Sequence, residues 1–146
     1  MIKLSEHFTV NEFEQSDYAA RHDLVNSMDK GQTESACHLC ESLLEKVRTH
    51  FDAPVIISSG YRCPELNTKI GGSVASQHMF GEAADIKVVG YSAFDVAYYI
   101  AYESGLDFDQ VIHEFGSWTH ISTTIRYANR GDILTITKQG TEKGIK

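Results

Sequence analysis

The stretch SQHMFGEAADIKVV, residues 76–89, decides how the chain is read. Its second half, Ala83 to Val89, is apolar and partly β-branched, which suits a strand. Its first half is polar and closes on Gly81, a residue that can take the left-handed conformations that fold a chain back on itself. The stretch therefore predicts a return turn feeding a strand. His78 lies on the turn and Asp85, seven residues on, opens the strand. Ala83 and Ala84 leave room beside them.

Working outward, Val55 to Ser59 is a second β-branched run. Before it, Ala36, Leu39, Cys40, Leu43, Leu44, Val47 and Phe51 recur at helical spacing and predict a helix from about Glu34 to Thr49. Asp52 and Pro54 end it. The segment SMDKGQTES reads as a loop, with Gly31 as its breaker. Near the start, Thr9 can cap a short helix, Glu12 can close a capping box and Phe8 can staple onto Phe13. Residues 17–22 suit another turn or two. Pro64 suits the first position of a short helix over residues 64–70, and residues 70–73 form a turn. Asn67 is expected to cap or tie down a loop.

Downstream, Ser92 caps a helix with Asp95 at its third position, Tyr91 able to staple onto Val96 and Gly105 as its end. Gln110 to Phe115, Thr119 to Thr123 and Ile133 to Thr137 read as strands. Successive strands without helices between them imply an α+β fold, a small antiparallel sheet with helices on one side. Residues 138–146 are polar and expected to be loose. Nothing divides the chain, so residues 1–146 read as one domain.

Apolar residues make up 42% and charged residues 23% of the 146, an ordinary globular balance that supports a real core. The formal charge of -7 argues against a protein that tracks a nucleic-acid backbone, which needs a basic stripe. No apolar run approaches a membrane span. The amino-terminal MIKLSEHFTVNEF lacks an apolar signal core, so synthesis without a signal peptide is expected. Three cysteines, Cys37, Cys40 and Cys63, make no disulfide framework. Cys40 falls on the apolar helical stripe, so the Cys37–Cys40 pair reads as packing rather than redox or metal chemistry.

His78 and Asp85 are chemically suited to metal ligation, since zinc accepts imidazole nitrogen and carboxylate oxygen and a catalytic site keeps a further position open. Their spacing alone is a weak signal. A third ligand has to come from elsewhere. His7, His22, His38 and His50 lie in the helical amino-terminal part without a partner at useful spacing. His113 and His120 lie on adjoining strands near the same expected cleft.

Taken together, Ser58, Gly60, Tyr61 and Arg62, then Asn67, then Ser76, His78, Gly81, Ala83, Asp85 and Ile86, then Trp118, His120 and Ser122 closely resemble the zinc peptidases of family M15. These are D-alanyl-D-alanine carboxypeptidases, dipeptidases and L-alanyl-D-glutamate endopeptidases of cell-wall peptide, with the Hedgehog signalling domain as a fold relative. The opening LSEHFTVNEFEQS resembles the phage and prophage endolysin branch. The resemblance implies a Hedgehog/DD-peptidase type of fold and Zn2+ held by His78, Asp85 and His120. Arg62 matches the arginine that stabilises developing charge on the substrate carbonyl, and Ser76 a residue of the substrate pocket. Tyr61 and Trp118 are expected to line the groove or pack in the core. Some relatives carry a general-base acid three residues before the last histidine, where this chain has Ser117. Glu114, six residues before His120, matches the alternative offset.

Two hairpin registers remain open. A two-residue turn at Gly116 and Ser117 would pair Glu114 with Thr119, set His113 opposite His120 and turn Glu114 to the other face. A three-residue loop from Gly116 to Trp118 would pair Glu114 with His120. General-base chemistry requires the shared face. Asp107 and Asp109 are expected to face solvent.

The function this implies is zinc-dependent hydrolysis of a peptide bond in the peptidoglycan stem peptide, in phage or prophage lysis. The alternative is a non-catalytic zinc-containing wall-binding or structural module. The expected partner is the peptide substrate, with no nucleic acid and no membrane insertion, and the expected state is a monomer. It would act on the wall after release from the cytoplasm by another protein.

Overall fold

The computed structural model describes residues 2–146; Met1, the first residue of the amino-terminal reading, lies outside them. In chain order the elements are α1 (Val10–Glu14), α2 (Asp17–Arg21), α3 (Lys30–Leu39), a π-helical turn (Cys40–Leu44), α4 (Glu45–Phe51), β1 (Val55–Ser59), α5 (Pro64–Lys69), a 3-10 turn (Gln77–Phe80) and β2 (Ala83–Val88). There follow α6 (Ala93–Tyr98), a second π-helical turn (Tyr99–Glu103), β3 (Gln110–Glu114), β4 (Trp118–Ser122), β5 (Asp132–Thr137) and β6 (Gly140–Lys143).

The strands form one sheet in the order β1-β2-β4-β3-β5-β6. The fold is α+β, as the pattern of segments implies. One pairing departs from the expected antiparallel sheet: β5 runs parallel to β3, with Ile112 opposite Leu134 and Glu114 opposite Ile136. β4 itself brings the chain back alongside β3, and residues 123–131 then cross the end of β3 to start β5 on its other side.

Period-two alternation sorts the strands into two faces. Ala84, Ile86, Val88, Val111 and Ile121 face a core that also holds Phe8, Phe13, Leu39, Leu43, Leu44, Val47, Val96 and Ile100. Asp85, His120, Ile112 and Glu114 alternate with them onto the other face. The core thus lies between sheet and helices and leaves the second face free for chemistry.

The helix before β1 begins earlier than the sequence suggests. Asp29 accepts from the Gln32 N–H and the Gln32 side chain returns the contact to Asp29 N–H, a capping box that starts the helix at Lys30. Gly31 therefore sits within the first turn and does not break it. The helix runs on through the π-helical turn to Asp52, which takes φ 50° and ends it. Thr9 and Glu12 form the expected capping box, and Ser92 accepts from Asp95 N–H.

The tail is ordered, contrary to its polar composition. β6 pairs with β5, Lys146 N–H donates to Thr135 Oγ1 at 2.9 Å and Ile145 packs against the core. Asp109 is likewise not solvent-facing: it is fully buried and takes both Nε and Nη2 of Arg130, at 3.0 and 2.7 Å. Asp107 is exposed as expected. Asn67 does tie a loop, donating to Ser73 O at 2.8 Å.

Candidate metal centre and active site

Three elements deliver the cluster. β2 and β4 pair so that Asp85 stands directly opposite His120. The 3-10 turn before β2 carries His78, with Ser76 capping it by accepting from His78 N–H at 3.2 Å. Gly81 ends the turn at φ 74°, and a Cβ there would sit 2.3 Å from Gln32 O. Glycine is thus required twice over, by conformation and by the approach of α3.

The imidazole of His78 is anchored from behind. Its Nδ1 donates to the Gly60 carbonyl at 2.6 Å, which leaves the Nε2 lone pair facing Asp85 Oδ1 at 3.4 Å. Such a backbone acceptor fixes the tautomer a metal-ligating histidine needs. Gly60 itself admits no side chain, because a Cβ would lie 2.7 Å from Phe13 Cα. His120 Nδ1 lies 3.0 Å from the same Asp85 oxygen. One ligand atom from each of His78, Asp85 and His120 falls within 4.8 Å of the others, and all three residues are buried. Two imidazole nitrogens and one carboxylate oxygen, converging with the histidine tautomer fixed, suit a divalent metal ion.

The electrostatics agree. Burial pushes the pKa of His78 down, toward the neutral imidazole that ligates metals. Burial acts to raise that of Asp85, but His78 and His120 outweigh it and hold the carboxylate well below its usual range. Asp85 Oδ2 also accepts from Arg62 Nη2 at 3.3 Å, and Arg62 Nε donates to Ser59 at 3.1 Å. Arg62 is pinned by one edge beside the cluster.

The hairpin takes neither register considered above. Its loop is Phe115, Gly116 and Ser117, so Glu114 pairs with Trp118 and Ile112 with His120. Glu114 is two residues from direct opposition to His120 but shares its face. Phe115 and Gly116 both adopt positive φ, 54° and 64°. Phe115 is held there by its N–H donating to Ile136 O of β5 at 2.8 Å and by its ring against Trp118. The result sets Glu114 Oε1 at 3.9 Å from His120 Nδ1. Burial first, and then the Asp85 charge, push the Glu114 carboxyl above its usual pKa.

An open cleft of about 1060 Å³ contains these groups, and Arg62, Ser76, Glu114 and Trp118 line it. Tyr61 does not: it is buried, receives Asn26 Nδ2 on its carbonyl and donates its N–H to Phe13 O. It belongs to the packing behind the cluster, so of the two places expected for it, groove or core, Tyr61 takes the core and not the substrate-binding one. His113 points to the opposite face, against Phe94 and the Lys146 carbonyl. Cys40 is buried in the core with its thiol pKa pushed up by burial, as its place on the helical stripe implies.

The family model described as Peptidase M15 matches residues 6–122, most of the chain. This chain belongs to the M15 peptidase family. Membership identifies it as a peptidase, and its cluster as one able to bind a metal. No curated protein matches the chain.

Several cleft residues of this M15 peptidase carried no sequence signal. Gln77, Gln110, Ile112, Arg126 and Arg130 all line the cleft. The period-two register of β3 could have found Gln110 and Ile112 once Glu114 was placed. The arginines arrive on the 123–131 crossover, whose path no local pattern encodes.

Proposed function

We propose that this M15 peptidase hydrolyses a peptide bond in the stem peptide of bacterial peptidoglycan, using Zn2+ held by His78, Asp85 and His120. The observation that carries the reading is the placement of Glu114 at 3.9 Å from a metal-ligand histidine, at the floor of an open cleft. When bound, the ion supplies Lewis acidity, acidifying water and polarising an amide carbonyl.

The chain's own residues do the rest. Glu114 accepts a proton as water oxygen bonds to the amide carbon, then delivers it to the nitrogen as the carbon–nitrogen bond breaks. Arg62, fixed through Nε and Nη2, offers its remaining edge to the carbonyl oxygen as negative charge develops there. Asp85 holds that guanidinium in place through its second oxygen. Trp118 and Ser76 border the substrate path.

Peptidoglycan as substrate and a role in phage or prophage lysis rest on the resemblance of the motifs and of the opening segment. On that reading the protein reaches the wall after release by another protein. A non-catalytic module has no need of an acid aimed at the cluster, so the position of Glu114 favours the enzyme. The test is digestion of purified peptidoglycan with and without a chelator, with the new ends identified by mass spectrometry. Chelator-sensitive release of peptide ends is expected; an undigested wall contradicts the proposal.

A further inference from the structure

Three of the chain's five arginines, Arg62, Arg126 and Arg130, line the cleft, and no lysine does so among the described residues. On a chain of formal charge -7 this is a concentration of guanidinium groups, and only Arg62 is engaged by the metal cluster. The other two come from the crossover between β4 and β5.

Both are held in the same manner. Arg126 donates Nε and Nη2 to the two oxygens of Glu82, at 2.8 and 2.7 Å. Arg130 donates Nε and Nη2 to the two oxygens of Asp109, at 3.0 and 2.7 Å. The acids are at the bottom: the Glu82 and Asp109 side chains are 1% and 0% exposed, while those of Arg126 and Arg130 are 45% and 52% exposed. Each guanidinium therefore commits Nε and Nη2 to a buried anchor while its side chain stays about half exposed at the cleft, with Nη1 left over. Among the described residues neither Nη1 has a hydrogen-bond partner. Arg126 is further fixed over the Phe80 ring, 4.0 Å from its centroid, and Phe80 also lines the cleft.

An arginine fork held in one geometry loses little freedom when it takes up a carboxylate. We propose that Arg126 and Arg130 form an anion subsite that grips a free carboxylate of the peptide substrate. The proposal rests on the peptidase reading and deepens it by naming the chemical feature that selects the peptide. The carboxylate is either that of the chain terminus or one carried within the peptide by an acidic residue. A merely structural role, tying the crossover to Glu82 and Asp109, would use Nε and Nη2 and leave Nη1 without consequence for substrate.

The experiment uses three synthetic stem-type peptides: the free acid, a terminal carboxamide, and a carboxamide at the internal acid. Binding to metal-loaded Glu114→Gln protein is measured by calorimetry, and KM and kcat are measured with the wild type. One of the two amidations is expected to weaken binding roughly tenfold, the loss typical of a hydrogen bond to a charged group, and to raise KM more than it lowers kcat. Which amidation does so identifies the carboxylate. Arg126→Lys and Arg130→Lys keep a cation for the buried acids but lose Nη1, and are expected to erase the preference for the free acid. Equal binding of all three peptides, or a preference that survives in the double lysine variant, overturns the subsite; hydrolysis of all three by the wild type would then leave the peptidase reading standing. Failure of every peptide to bind or be cut overturns both.

Discussion

Asp85 and His120 stand directly opposite each other on β2 and β4, with the carboxylate oxygen Oδ1 3.0 Å from Nδ1. The next strand, β3, continues the row with Ile112 opposite His120. Glu114 therefore falls two residues along the same face. Sheet register, rather than a flexible loop, sets the distance between His120 and Glu114.

Glu114→Gln keeps the size and hydrogen-bonding reach of the side chain and removes its basicity. Turnover is expected to fall by ~100-fold or more, while Zn2+ affinity stays near that of the wild type. Kinetics on a stem peptide and a metal titration of the same preparation check the two halves separately. Full activity in the variant removes Glu114 from the role.

Arg62→Lys retains charge but cannot bond Ser59 and Asp85 while also facing the carbonyl. The expected signature is a drop in kcat of ~10-fold or more with a smaller change in KM, since the lost interaction strengthens only as charge develops. A change confined to KM would reassign Arg62 to ground-state binding.

Gly60→Ala is expected to destabilise the fold by about 1–3 kcal/mol, the usual range for overpacking, because its Cβ meets the Phe13 backbone at 2.7 Å. Displacing Gly60 also moves the carbonyl that orients His78, so metal affinity is expected to fall with stability. Chemical denaturation and metal titration report the two effects. A variant that denatures like the wild type contradicts the close approach.

The Glu82–Arg126 pair makes an acid limb in stability. Burial acts to raise the Glu82 pKa, but hydrogen bonds from Arg126, Thr124 and Gln77 outweigh it and hold the value below the usual 4.5. A depressed folded pKa means that the contribution is complete above the unfolded value and is lost as pH falls through the folded one. Asp109, held down by Arg130 against the same burial effect, adds to it from 3.8 downward. Urea denaturation of the wild type is expected to show stability falling as pH drops below about 4.5, with a shallower fall in Glu82→Gln. Identical limbs in the two proteins contradict the contribution.

Much of the site was legible because its residues sit in short, local, chemically marked segments. His78, Gly81 and Asp85 span one turn and the start of one strand, and His120 lies within one alternating run. What escaped was set by contacts distant in sequence. Glu114 was named, but its hairpin register depends on Phe115 in a left-handed conformation tied to Ile136, a residue of β5. Gly31 looked like a breaker because a glycine in a polar run usually is one; the capping pair Asp29 and Gln32 on either side of it overrode that. Asp109 read as a turn acid because its partner Arg130 lies 21 residues away. The tail is polar yet ordered, since backbone pairing with β5 needs no apolar side chains.

The central claim is that one metal ion, held by His78, Asp85 and His120, is what hydrolysis depends on. The most direct test is stem-peptide turnover as Zn2+ is titrated into chelator-stripped protein. Activity is expected to rise from baseline and saturate at one ion per chain, and to stay at baseline in Asp85→Ala. Full turnover in the stripped protein, or the same saturation in Asp85→Ala, would contradict it.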